Sequence, residues 1–324
     1  MGSKCIAVLT RGYSDVQKYD DLIKRNNHIN HNLRDKSIKN LIFHEGNITL
    51  EHQTYIRDQT IGLDTEFIDV SEVCFKPEKK DIRFEAAEDF NLGYRHMCSF
   101  WFVHFFKLVE KYDQLLRIDE DCFVMTNLDD IFADLERYTF VTAICADDDD
   151  FVTKGLNQFS LEFIHSHLDS PFKQYKAKKP RGPYTNLFAI SLETIRSNVL
   201  FQEYRDRVDA ADFIYKFRWG DLPLWGEVIH YIFGNETMKV DNNIRYYHGS
   251  HKCDVNTLDA LPYEEGQFIF DKHTEMVTVT PLKVLETPTV ALLKVPEPLR
   301  VRSEFSLWGK QKKNTASKMK WNLW

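Results

Sequence analysis

The chain has 324 residues, 43% of them hydrophobic and 14% aromatic, enough apolar material for one large α/β domain with extensions or for two small domains. Its 42 basic residues against 49 acidic ones give a formal charge of −7, which argues against nucleic acid as the main partner, because phosphate contacts need a basic face. No apolar run reaches the about 20 residues of a membrane span, and "MGSKCIAVLTRGYSD" leaves no room for a signal peptide, so a soluble, cytoplasmic protein is expected.

Short β-rich runs alternate with helical ones, the pattern of a mostly parallel sheet flanked by helices. "CIAVLT" (5–10) predicts the first strand, and Ser14 is placed to cap a helix over "DVQKYDDLIKRNN". "KNLIFHE" (39–45) and "TEFIDVS" (65–71) predict two more strands around a helical "LEHQTYIRDQ". "YRHMCSFWFVHFFKLVEKY" (94–112) predicts one buried helix, with His104, Lys107 and Lys111 forming a polar stripe. The strand "QLLRID" follows, then the strand "YTFVTAICA" (138–146), the helix "LNQFSLEFIHSHL" (156–168) and the strand "PYTNLFAIS" (183–191). "GDLPLWGEVIHYIFG" (220–234) reads as a helix with Asp221 at its start and Pro223 in the first turn, and "MKVDNNIRYYH" (238–248) as an extended segment.

Residues 1–262 are expected to form the main domain. Beyond them Pro281, Pro288, Pro296 and Pro298 interrupt every run, so 263–324 is expected to be an extension. Its basic end carries Trp308, Trp321 and Trp324, which fits an arm docked on the main body or a weak contact with an anionic membrane surface. The six cysteines have neither CxxC spacing nor a disulfide framework and point to buried thiols in a reducing compartment.

Three features can carry chemistry. In "RIDEDCFV" the strand "QLLRID" gives way to Asp119, Glu120 and Asp121. In an open α/β sheet, ligands bind beyond the carboxyl ends of the strands. On an extended chain Asp119 and Asp121 face one side and Glu120 the other, so the two aspartates can share a divalent ion. A solvated acidic turn is the alternative, as it is for "ADDDDF" (146–151). In "FRWGDLPLWGE", Asp221 is either a general base for an acceptor hydroxyl or an N-cap, Trp219 is a candidate sugar-stacking ring, and Glu227 is expected at the surface. In "IRYYHGSHKC", His248 is a candidate metal ligand or an ordinary histidine, while His251 and Cys253 lack the partner spacing of a zinc site. Tyr246 and Tyr247 are candidate sugar contacts or core.

Together, "VLTRGYSD", "GYRHMCSFW", "YDQLLRIDEDCFV", "YTNLFAIS", "FRWGDLPLW" and "IRYYHGSH" resemble, in the same order, stretches of the fungal Golgi alpha-1,2-mannosyltransferase family (glycosyltransferase family 15). The resemblance covers about residues 5–255 and implies a Rossmann-like fold of the GT-A type that binds a nucleotide sugar and Mn²⁺ or Mg²⁺. It implies a metal site of Asp119, Asp121 and His248, where the family usually has Glu-Pro-Asp in the acidic motif. It also implies donor contacts from Thr10, Arg11, Tyr94, Arg95, Asp119 and Asn186, and a carboxylate at the reaction centre in Asp221. The implied partners are a GDP- or UDP-sugar and a glycan or glycoconjugate hydroxyl.

Two departures stand out. The family has a glutamate, considered a nucleophile, after the asparagine that matches Asn186; here Leu187, Phe188 and Ala189 follow. That leaves internal return or inversion with Asp221 as base. The family's membrane anchor is also missing, so a cytosolic setting and a virus-supplied pathway are both open. Two other classes stay in play: a sugar- or nucleotide-sugar-binding protein without turnover, and a metal-dependent phosphohydrolase.

Overall fold

In the computed structural model the first apolar run forms β1 (Lys4–Thr10), buried from its second residue onward, as expected of a parallel strand covered on both faces. There follow β2 (Lys39–His44), β3 (Thr65–Asp69), β4 (Gln114–Ile118), β5 (Cys122–Val124), β6 (Phe140–Thr142), β7 (Cys145–Ala146), β8 (Gly182–Pro183), β9 (Leu187–Ser191), β10 (Met238–Val240), β11 (Tyr246–His248) and β12 (Cys253–Asp254). The helices are α1 (Asp20–Asn32), α2 (Leu50–Gln59), α3 (Ser71–Cys74), α4 (Leu92–Ser99), α5 (Leu128–Asp134), α6 (Leu156–Ser166), α7 (Leu192–Ser197), α8 (Val199–Ala211), α9 (Phe213–Phe217) and α10 (Asp221–Val228). The structure describes residues 2–75, 77–167, 178–251 and 253–255, so the expected extension over 263–324 lies outside the described residues.

The main sheet has seven strands in the order β10-β6-β9-β4-β1-β2-β3. Strand β1 runs parallel to both β2 and β4, β2 to β3 and β6 to β10, while β9 alone is antiparallel to its neighbours β4 and β6. The chain builds outward from β1 to β3 and then restarts on the other side of β1 with β4. That reversal opens a crevice beyond the carboxyl ends of β1 and β4, the place where such sheets bind ligands. A smaller sheet, β12-β11-β5, hangs on the end of β4.

Aromatic rings fill one face of the main sheet: Phe43, Phe100, Trp101, Phe140, Phe188, Phe201 and Trp225 belong to one buried cluster. This explains why the helix expected over 94–112 is not continuous. After α4 the backbone widens into a π turn over Phe100–His104 and then tightens into a 3₁₀ turn over Phe105–Val109, so the consecutive rings of Phe100, Trp101 and Phe102 are all buried. The helix expected over 220–234 likewise passes from α10 into a π turn over Ile229–Phe233.

Other boundaries also move. The cap expected at Ser14 falls on Asp15, which accepts from the Gln17 N–H and starts a 3₁₀ turn, and the α-helix proper begins only at Asp20. The strands expected over 138–146 and 183–191 each split, because β7 and β8 peel off as a separate ribbon. Helix α10 packs against that ribbon so closely that a Cβ on Gly182 would lie 2.0 Å from the Leu222 carbonyl oxygen. Only glycine permits this approach. Among the described residues no helix is long and apolar enough to cross a membrane.

Candidate active site at the end of β4

The acidic run does not continue the strand. The Cys122 N–H donates to the Asp119 carbonyl at 3.1 Å, a tight turn between β4 and β5, so the alternation that would align Asp119 with Asp121 ends at Ile118. The three carboxylates therefore point to three different partners. Beneath the turn lies a buried cation, Arg25 of α1, whose Nε donates to the Ile118 carbonyl at 2.9 Å. Burial brings its pKa down to about 9, opposed by the charges of Asp119 and Glu120.

Asp121 faces the small sheet. Strand β11 pairs antiparallel with β5 so that His248 stands opposite Cys122, and its Nε2 comes 3.4 Å from Asp121 Oδ2. The Ser250 N–H donates to the same oxygen at 2.9 Å. Burial lowers the pKa of His248, only partly opposed by Asp121, so the ring is neutral near pH 7, the form that binds metal. Burial would raise the Asp121 carboxyl, but His248 and Ser250 outweigh it and the net direction is down. On the far side of the ring, Nδ1 lies 3.1 Å from Asn186 Nδ2 and 3.2 Å from the Tyr184 hydroxyl.

Ligand atoms of Asp121, Cys122 and His248 all lie within 4.8 Å of one another. Burial drives the Cys122 thiol well above its usual pKa, so it stays protonated and is not a ligand for a hard cation. One carboxylate and one neutral imidazole fit Mn²⁺, which accepts oxygen and nitrogen donors, better than Mg²⁺.

Asp119, expected as the third ligand, is held instead by Arg117. The guanidinium donates from Nε to Oδ1 at 2.7 Å and from Nη2 to Oδ2 at 3.0 Å, and its Nη1 pairs with Asp221. It also lies over the Trp101 ring, 4.5 Å from the centroid. Burial alone would lower the Arg117 pKa, yet the two carboxylates reverse this and the net direction is up. Asp119 itself is raised by burial, against the pull of Arg117. The sequence signal for this pair is that Arg117 and Asp119 stand two apart at a strand end.

Glu120 does turn away from Asp121, and it turns toward the end of β1. Its carboxylate accepts from the Thr10 hydroxyl and, at 2.9 Å, from the Tyr13 hydroxyl. Burial pushes its pKa up to about 7, opposed by these two hydrogen bonds and reinforced by the charges of Asp121 and Asp21. Arg11 lies beside this group, its guanidinium 5.0 Å from the Tyr13 ring centroid. Thr10 and Arg11 thus sit where the crevice between β1 and β4 opens.

Other expected site residues are placed differently. Asn186 is buried beneath His248, with its Oδ1 accepting from Tyr246 at 2.7 Å. Arg95 is a structural wedge: its guanidinium donates to the carbonyls of Tyr215, Ala87, Ala86 and Phe90 and covers the Phe84 ring, so it does not reach a donor. Trp219 is fully buried, its Nε1 bonded to the Lys154 carbonyl at 2.9 Å, and cannot stack on a sugar. Tyr246 and Tyr247 are buried as well. Tyr94 is half-buried, and its hydroxyl accepts from Arg218.

One expectation of solvent exposure fails and one holds in part, with Asp147 and Asp150 exposed. Within the acidic run 146–151, Asp148 is 11% exposed and pairs with the buried Arg218 at 2.6 Å, a contact 70 residues apart that no local pattern announces. Arg218 holds a left-handed backbone, φ 65°, strained for a non-glycine and placed three residues before Asp221. Glu227 is buried on α10 rather than on the surface, because α6 covers that face.

The sheet order, the helices on both faces and the acidic turn after β4 define a fold of the GT-A type, and solved structures bear this out. Core-mannan synthase A from Aspergillus fumigatus, in its Mn/GDP form, aligns over 76% of this chain and 74% of its own at 15% identity with a TM-score of 0.61. The mannosyltransferase Ktr4p from S. cerevisiae aligns over 76% of this chain and 70% of its own at 14% identity with a TM-score of 0.59, and its complex with GDP gives the same TM-score. At such identities the likeness is one of fold. No protein-family model and no curated protein sequence matches the chain.

Proposed function

We propose that this chain is a metal-dependent glycosyltransferase of the GT-A type that moves a sugar from a nucleoside diphosphate sugar to a hydroxyl of a glycan or glycoconjugate. The observation that carries the reading is the β5–β11 pairing, which sets Asp121 against a neutral His248 at the mouth of the β1–β4 crevice. The resemblance to mannosyltransferases, and GDP in the fold's solved relatives, favour a GDP-linked mannosyl donor.

Asp121 and His248 would hold a Mn²⁺, with Tyr184 and Asn186 orienting the imidazole from behind. When bound, such an ion supplies positive charge opposite the leaving diphosphate. Thr10, Tyr13, Arg11 and Glu120 line the nucleoside side of the crevice. Asp221 is fixed by Arg117 at the start of α10, where its carboxylate accepts a hydrogen bond from the acceptor hydroxyl and orients it. Strand β9 presents only Leu187, Phe188, Ala189 and Ile190 before Ser191, all four buried, so no carboxylate there forms a glycosyl-enzyme bond.

The test is incubation with Mn²⁺, a panel of GDP- and UDP-sugars and a panel of glycosides, reading both free nucleoside diphosphate and new glycoside. Both products are expected for one donor. No release with any donor would favour a binding protein, and release without glycoside, undiminished when acceptor is left out, would favour a phosphohydrolase.

A further inference from the structure

A cavity of about 360 Å³ lies apart from the β1–β4 crevice, between the start of α6, the loop before it and α10. Its lining includes Asp148, Lys154, Asn157, Lys179, Pro223 and Glu227. Glu227 is only 2% exposed, and the Asn157 amide that reaches it is shared. Asn157 Nδ2 lies 3.1 and 3.2 Å from the two Glu227 oxygens, 3.0 Å from the Tyr231 hydroxyl and 3.0 Å from the Lys178 carbonyl. An amide NH₂ carries two hydrogens for these four acceptors. Ser160 adds a further hydrogen bond to the carboxyl.

The walls carry both signs. Asp148, Asp150 and Glu227 accept, whereas Lys154 and Lys179 donate, and Lys179 is already engaged by Asp150 at 2.6 Å. An anion would meet three carboxyl groups and a cation two ammonium groups. A neutral polyhydroxylated ligand satisfies both kinds of wall, since each hydroxyl gives one hydrogen and accepts others. The volume is at the small end of the range for ligand sites, roughly 300–1,000 Å³, and suits one or two sugar rings.

The placement says which sugar. Pro223 and Glu227 are four apart and share one face of α10, while Asp221, two residues before Pro223, turns to Arg117 on another. Asp148 links the two: it lines the cavity, and its Oδ2 would lie 3.3 Å from a Cβ on Gly220, the residue before Asp221. We propose that this cavity is an outer acceptor subsite, holding a neutral sugar unit of the glycan whose reacting hydroxyl is presented at Asp221. The assignment to an acceptor rests on the transferase reading above.

The test is saturation-transfer NMR on the full chain with α-1,2-mannobiose, lactose and xylobiose as probes, repeated on Asn157→Leu and on the milder Lys154→Met. At least one disaccharide is expected to bind, with affinity falling about tenfold or more in both variants while Mn²⁺-dependent GDP or UDP binding is kept. No disaccharide bound, or binding unchanged in both variants that retain nucleotide affinity, would overturn the subsite. Disaccharide binding that responds to both variants in a chain binding no nucleotide would refute the transferase reading, and with it the acceptor assignment, while leaving a sugar site.

Discussion

His248 stands opposite Cys122 in the β5–β11 register, and that pairing brings its imidazole 3.4 Å from the Asp121 carboxylate. Ser250, two residues past His248, braces both: its N–H donates to Asp121 Oδ2 at 2.9 Å and its Oγ lies 3.2 Å from His248 Nε2. The ring is steadied from behind by Asn186 and Tyr184, at 3.1 and 3.2 Å from Nδ1. Asn186→Ala should therefore weaken Mn²⁺ affinity by about 10–100-fold, as loss of a ligand's supporting partner does, without unfolding the chain. Electron paramagnetic resonance titration of Mn²⁺ would measure it, with circular dichroism as the folding control. An unchanged affinity would remove Asn186 from the support of the site.

Arg117 joins Asp119 to Asp221 across the crevice floor. Arg117→Met should destabilise the protein by roughly 3–5 kcal/mol in urea unfolding, because it strands two partly or fully buried carboxylates without their cation. Asp221→Asn keeps the shape and one hydrogen-bond acceptor. It should leave nucleotide binding intact and lower turnover by roughly 10²–10⁴-fold if the carboxylate takes the acceptor proton, and by less if it only orients the hydroxyl.

Burial pushes the Glu227 carboxyl up from its ordinary 4.5 to about 7, with Asn157, Ser160 and the Lys179 charge opposing the rise. The folded chain holds this proton over a range in which the unfolded chain has released it. Stability from Glu227 is thus full below pH 4.5 and falls as pH rises to about 7, by on the order of 3 kcal/mol. Glu227→Gln should be more stable than the parent at pH 8, with the difference vanishing near pH 4.5; urea midpoints across that range would check it. A difference independent of pH would show that the buried carboxyl carries no such proton.

Much of the fold could be read from the sequence because parallel strands covered on both faces appear as apolar runs, as in β1 and β2, and amphipathic helices as periodic ones. The breaks at Phe100 and Ile229 could not, since a π turn is a response to tertiary packing of consecutive rings. Within the site, Asp121, His248 and the position of Asp221 were legible through motif resemblance. The partnership of Asp119 with Arg117 was not legible, because the acidic run forms a turn and not extended chain. Asp148 and Glu227 looked like surface residues because their burial is supplied by Arg218 and by α6, far away in sequence.

The central claim is that Asp121 and His248 make nucleotide binding depend on a divalent ion, and calorimetric titration of the full chain with GDP and with UDP, with and without Mn²⁺, tests it most directly. Binding of one nucleotide only when Mn²⁺ is present, lost in Asp121→Ala, is the predicted result. Equal affinity without the ion, or an Asp121→Ala variant that binds like the parent, would contradict it.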